Sequence, residues 1–185
     1  MNTMDHVPEK VLWAGLEELK GSPKDTAVLD LIVRRTGVGL REVLDEAQLD
    51  TSAGLIGDGW LERGSSKTLD KKAHPGMQLT VMNSRLIALI AGEKERWPIA
   101  GDQLYVDLDL GATNLPTGAR LGIGEAVIEI TEPPHTGCSK FKERFGADAL
   151  AFVNSPPGRE LRLRGVHARI IRGGTIRAGA TVTKL

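Results

Sequence analysis

Val166-His167-Ala168-Arg169-Ile170-Ile171-Arg172-Gly173-Gly174-Thr175-Ile176-Arg177-Ala178-Gly179-Ala180-Thr181-Val182-Thr183-Lys184 closes the chain. Three short runs rich in β-branched residues are cut by glycines, the pattern of strands joined by turns. Upstream the same style recurs. Gln78 to Met82, Leu104 to Leu108 and Ala126 to Thr131 read as strands. Between the first two of these, Asn83 and Ser84 can cap a short apolar helix, Arg85 to Ala91, which Gly92 ends. Several strands split by glycine turns, with helices as insertions, predict a mainly β chain with a few helices, a barrel or sandwich rather than a doubly wound parallel sheet.

The N-terminal part reads differently. Ser22-Pro23-Lys24-Asp25 has the layout of a helix start, and Val28, Leu29, Ile32 and Val33 fit helical spacing up to Arg35, with Gly37 as the stop. A second helix is expected over Leu40 to Leu49. From Thr51 to Gly76, glycines 54, 57, 59, 64 and 76 alternate with serines and charged residues, so the segment reads as loop, either one wall of a site or a surface excursion.

The 185 residues suit one compact domain that needs no disulfide or structural metal. Lysine plus arginine equals aspartate plus glutamate at 24 each, so no net field favours nucleic acid, anionic lipid or an acidic substrate. A single cysteine cannot form an internal disulfide or a multi-cysteine metal site, which fits a reducing, cytoplasmic setting. Met1 to Lys10 lacks the basic-then-apolar layout of a signal peptide, and no apolar run approaches the ~20 residues of a membrane span.

The stretch that carries chemistry is Glu132-Pro133-Pro134-His135-Thr136-Gly137-Cys138-Ser139-Lys140. The prolines stiffen its approach, and Phe141 with Phe145 marks the buried stripe of a helix ended by Gly146. Cys138 then sits near the first turn, where free amides, the helix dipole and Lys140 favour a thiolate, the form that is nucleophile and soft metal ligand. Against this stands the reading of a small buried hydrophobe. His135 could be a base or ligand, or a hydrogen-bonded loop residue. Arginines 159, 162, 164, 169, 172 and 177 could hold a phosphate or carboxylate, although most should be solvated strand faces. P-loop, His-Glu-x-x-His and Gly-x-Ser-x-Gly motifs are absent, and Gly122-Ile123-Gly124 is a turn rather than a dinucleotide fingerprint.

From about Gly54 onward the chain resembles the MOSC family, found at the C-terminus of molybdenum cofactor sulfurases and as free-standing bacterial proteins. The likeness runs in order through Gly54-Leu55-Ile56-Gly57-Asp58, Leu79 to Leu86, Gly101-Asp102-Gln103-Leu104, Leu121 to Ile130, Cys138-Ser139-Lys140-Phe141, and Gly165 to Ile170 with Ile176 to Gly179. Departures are Gly59, Gln103 and His135-Thr136-Gly137, where many relatives carry a basic residue, an asparagine and Arg-x-Pro.

The resemblance implies a MOSC-type β-barrel over residues 51–185, with residues 1–50 as an N-terminal helical extension and no aminotransferase-like or further N-terminal domain. It also brings the family's association with pyridoxal phosphate. It implies Cys138 as molybdenum ligand or persulfide carrier, Lys140, Arg169 and His135 as cofactor-binding groups, and Asp58 and Asp102 at the pocket rim. The cofactor would be molybdenum cofactor (molybdopterin), the substrate a small N-hydroxylated or N-oxide molecule, and the partner a reductase. On the sulfur-carrier reading the partner is a cysteine desulfurase, and a non-catalytic ligand-binding module is the third reading. Nucleic acid and membrane are not expected partners.

Overall fold

In a computed structural model that describes residues 6–65 and 68–185, the strand-and-turn reading holds for the C-terminal two thirds. β5 (Leu79–Asn83), β6 (Leu104–Val106), β7 (Arg120–Ile123), β8 (Ala126–Ile130), β9 (Val166–Arg172), β10 (Gly174–Arg177) and β11 (Thr181–Lys184) lie where strands were expected or beside them. The reading of residues 22–49 is overturned. Thr26–Gly37 is one long strand, β1, and Leu40–Leu44 (β2) and Glu46–Asp50 (β3) replace the second helix.

Ser22 explains the error at the start. Its hydroxyl donates to the Leu19 carbonyl (2.8 Å) and accepts from Asn83 Nδ2 (2.9 Å), so it closes a helix rather than opening one. The helices of this region are α1 (Glu9–Ala14) and α2 (Leu16–Lys20). Val28, Leu29, Ile32 and Val33 fit either periodicity. Pairing of β1 with β2, β6 and β11 decides for the strand, which suits its β-branched residues. Residues 26–50 are therefore strands of the two sheets, not part of a helical extension.

Seven strands close into a barrel in the order β1-β11-β7-β8-β9-β5-β6 and back to β1, with β2 added on the flank of β1. Closure removes the free edges that a seven-stranded open sheet would present. All pairs are antiparallel except β5–β6, where Val81 lies opposite Leu104. That parallel pair needs a crossover, supplied by α4 (Ser84–Ala91) and the 3₁₀ segment Lys94–Ala100. Asn83 caps α4 by accepting from Leu86 N (3.0 Å) while its amide donates to Ser22 Oγ and to the Leu108 carbonyl (2.8 Å), tying the two ends of the crossover together. After β9, the chain leaves the barrel at Gly173, and β10 pairs with β3 and, through it, β4 (Gly54–Leu55) in a small second sheet. The expected loop from 51 to 76 thus contains β4, a helical turn α3 (Trp60–Arg63) and a 3₁₀ turn at Pro75–Met77; its Ser66 lies outside the described residues, as do Met1 to Asp5 of the leader reading.

Two apolar cores result. Leu29, Ile32, Leu79, Val81, Leu104, Ile128 and Ala168 fill the barrel. The alternate residues of the same strands, Leu31, Val33, Met82 and Tyr105, face outward under α4 and α5 (Ser139–Asn154), which contribute Leu86, Ile87, Phe141, Phe145 and Phe152. α5 is two helical pieces, because Gly146 takes φ 93° inside it, a conformation open to glycine but strained for other residues. The helix stop expected at Gly146 is therefore real, and helix resumes beyond it. No helix among the described residues is long and apolar enough to cross a membrane.

Phe145 is 1% exposed and anchors the piece of α5 that carries the cysteine segment. Phe145→Ala should destabilise the fold by about 3–5 kcal/mol, read as a lower urea midpoint at unchanged slope.

Candidate functional site

Cys138 is placed by its neighbours on both sides. Phe141 and Phe145 stack at 5.0 Å and fix the first piece of α5 on the outer core. Before the cysteine, Gly137 passes so close to α5 that a Cβ there would lie 2.7 Å from Leu150 and 3.0 Å from Val153. Asn154 clamps it from the far end of the same helix, accepting from Gly137 N (3.1 Å) and donating to Gly137 O (3.2 Å). The backbone is therefore held while the Cys138 side chain is exposed. As the residue ahead of α5, Cys138 takes extended angles, and its carbonyl accepts from Lys142 N at 3.0 Å. The buried-hydrophobe reading of Cys138 does not hold.

The thiol lies on the wall of a cavity of about 570 Å³. Arg35, Trp60, Arg63, His74, His135, Arg164 and His167 supply most of its functional surface, and no carboxylate is among the described residues that line it. Arginines are costly to bury, and two buried carboxylates just behind the wall account for their positions. Asp58 takes a forked pair of hydrogen bonds from Arg35 (Nε to Oδ2 2.8 Å, Nη2 to Oδ1 2.7 Å) and two more from the amides of Arg35 and Trp60, both at 2.9 Å. Asp102, fully buried, accepts from Arg164 Nη1 at 2.7 Å, and its other oxygen lies 3.6 Å from His135 Nδ1.

Between the two pairs sits Gln103. Its Oε1 accepts from Thr80 N and Oγ1, and its Nε2 donates to the Gln78 carbonyl and to Asp58. Arg164 also lies 5.1 Å over the Phe141 ring, a cation–π contact that links it to the base of α5. The His135 and His167 rings lie 4.6 Å apart, tilted by 42°, and His167 Nδ1 donates to the Pro133 carbonyl at 2.9 Å, pinning the loop before the cysteine onto β9.

Electrostatics follow from this packing. Burial disfavours the Asp58 carboxylate, but hydrogen bonds and charge from Arg35, with the two amides, outweigh it and hold the group below its ordinary value. Arg63 is pushed down by burial and then by Arg35, with Asp58 opposing. The wall is a cationic surface with its counter-charges set behind it.

Of the residues singled out from sequence, Cys138, His135 and Arg164 meet on the cavity. Asp58 and Asp102 belong to the site but lie behind the wall, buried under Arg35 and Arg164, rather than at its rim. Lys140 is exposed and is not among the lining residues. Arg169 is elsewhere: it points outward from β9 and is held by Glu129 (2.6 and 3.0 Å), which Arg120 shares, so it is not brought to Cys138. Arg35, Trp60, Arg63 and His74 were not singled out. Arg35 was hidden at the end of an expected helix, and the rest lie in the glycine-rich segment, whose reading as one wall of a site is where they could have been sought.

The MOSC domain family matches residues 77–183. The chain belongs to the MOSC domain family. Solved structures agree on the fold. This MOSC protein superposes on YuaD from Bacillus subtilis with a TM-score of 0.62 at 16% identity, covering 85% of this chain and 94% of that one. YiiM from Escherichia coli gives 0.54 at 19% identity over 85% of this chain and 69% of that one, and YiiM from Geobacillus stearothermophilus gives 0.50 at 14% identity over 89% and 74%. No curated protein sequence matches the chain. The family match begins after the segment that carries Arg35, Trp60 and Arg63, so six of the fourteen described residues lining the cavity of this MOSC protein come from outside it.

Asp58→Asn removes the charge that offsets buried Arg35 and should cost about 3–5 kcal/mol in chemical unfolding. Because the folded carboxyl titrates below its unfolded value, near 3.9, the stability it provides is complete above that value and is lost as pH falls through the folded one. Unfolding titrations from pH 7 to pH 3 should show a steeper acid loss in the parent than in Asp58→Asn.

Proposed function

We propose that this MOSC protein binds molybdenum cofactor in the Cys138 cavity and reduces small N-hydroxylated or N-oxide molecules. The observation that carries the reading is an exposed soft thiol on the wall of a cavity that presents three arginines, with the carboxylates that pair Arg35 and Arg164 set behind the wall. The donor set fits. Among the described residues no group of three or more His, Cys, Asp or Glu could hold a metal ion, so a metal at Cys138 must arrive with most of its ligands. A pterin dithiolene supplies such ligands, and its phosphate suits arginine forks. The cavity volume lies in the range of about 300–1,000 Å³ usual for ligand sites.

On this reading Cys138 ligates the metal, while Arg63 and Arg35 draw in the anionic end of the pterin. When bound, the cofactor supplies the two electrons of the reduction, which a separate reductase renews. Conversion of an N-hydroxylated compound to the amine also takes two protons and releases water. His135 and His167, whose rings meet at the cavity with His135 beside Asp102, are placed to carry protons there. Trp60 and Met77 provide apolar surface for the rest of the ligand.

The exposure of Cys138 favours a second reading, a persulfide carrier. A desulfurase persulfide would be attacked by the Cys138 thiolate, moving its outer sulfur to Cys138 and leaving the desulfurase thiol.

Metal and pterin analysis after expression in a host that makes molybdenum cofactor separates the two. Near-stoichiometric molybdenum that falls at least tenfold in Cys138→Ala is expected. Absence of molybdenum from both proteins would reject the first reading, and sulfane sulfur on Cys138 would then support the second.

A further inference from the structure

The loop that presents Cys138 has a second cavity at its back. Its volume is about 350 Å³ and it is the more enclosed of the two; Pro134, His135, Thr136, Arg164 and His167 line both, so one thin wall separates them. The far side of this second cavity is built by the end of α5 and by the turn after it. Arg159 and Arg162 reach it from α6 (Pro156–Glu160) and the residues that follow.

One carboxylate, the exposed Glu132, is among the described residues lining this cavity, and no ion pair joins it to the arginines there, unlike the paired charges behind the Cys138 cavity. Arg164 has Asp102, but Arg159 makes no side-chain hydrogen bond or ion pair with any described residue, and Arg162 has only the Leu115 carbonyl (2.6 Å). Burial alone pushes the Arg162 guanidinium down, with no carboxylate acting on it. Arg162 also holds a left-handed backbone at φ 48°, which a side-chain-bearing residue adopts at a cost. A half-buried cation kept in a strained turn beside an enclosed cavity, with a second arginine close by, is the arrangement of an anion clamp.

We propose that this rear cavity is a binding site for a small molecule bearing an oxyanion group, carboxylate or phosphate, gripped by Arg159 and Arg162 and separate from the Cys138 cavity. Occupancy reaches the cysteine by a short route. Asn154 lines the rear cavity and holds both backbone groups of Gly137, the residue before Cys138.

Inorganic phosphate titrated into the ¹⁵N-labelled full chain tests the assignment. Saturable shifts of the Gly137, Asn154 and Gly158 amides are expected. Arg162→Gln and Arg159→Gln should each weaken the apparent affinity about tenfold, the loss of one charge-assisted hydrogen bond. Arg63→Gln, on the Cys138 cavity, should leave it unchanged. Arg159 is exposed and its side chain makes no hydrogen bond or ion pair with any described residue, so that variant keeps the fold whatever Arg162→Gln does. Acetate titrated in parallel tells the two oxyanions apart, and saturation by either supports the site. Absence of saturable shifts with both anions, shifts unchanged in Arg159→Gln, or shifts lost in Arg63→Gln would overturn it.

Discussion

The forked pair between Arg35 and Asp58 is the constraint on which the site depends. It joins the end of β1 to the turn after β4, segments 23 residues apart, and both partners are almost fully buried. Burying two charges is repaid only when nearly all their hydrogen-bonding capacity is met. Asp58 reaches that condition through two amides and Gln103, and Gln103 in turn fixes Thr80 on β5. A single carboxylate thereby sets the relation of β1, α3 and β5, three pieces of the cavity wall. On the other side Arg164 and Asp102 form a second buried ion pair through one hydrogen bond, and the contact of Arg164 with Phe141 carries the order on to the base of α5.

Division of labour between the two faces of the barrel strands follows from the same geometry. Inward residues such as Val81 and Leu104 close the barrel, while outward neighbours Met82 and Tyr105 support the helices. Tyr105 is fully buried and its hydroxyl donates to the Trp97 carbonyl at 2.9 Å, so the crossover segment is tied to the strand it returns to. The cysteine loop then rests on a rigid base at both ends, with His167 at Pro133 and Asn154 at Gly137. Rigidity under an exposed thiol is what a ligating or group-carrying residue requires.

Much of this was legible in the sequence, and the failures have physical reasons. The C-terminal strands announced themselves because β-branched runs and glycine turns are local signals. β1 did not, since Val28, Leu29, Ile32 and Val33 satisfy two periods at once, and only the pairing with β2, β6 and β11 resolves them. Cys138 and His135 stood out through their local setting. Arg35 with Asp58 could not, because nothing in a sequence records which distant carboxylate a buried arginine meets. Arg169 enters as a site residue through the family resemblance, and it does share the outward face of β9 with His167. The loop at Pro133 covers His167 and leaves Arg169 to Glu129. Alternation reveals the face of a strand but not which part of that face is covered.

The one thiol of this MOSC protein belongs to a residue on the wall of a cavity that presents arginines. Because Cys138 is the only cysteine, its alkylation can be followed without ambiguity. The direct measurement compares the rate with iodoacetate, an anion, against iodoacetamide, its neutral analogue, at low and high salt. The ratio of the iodoacetate rate to the iodoacetamide rate is expected to exceed that of a free thiol at low salt and to fall toward it as salt screens the arginines. A ratio at or below the free-thiol value at low salt, insensitive to added salt, would contradict this placement of the thiol.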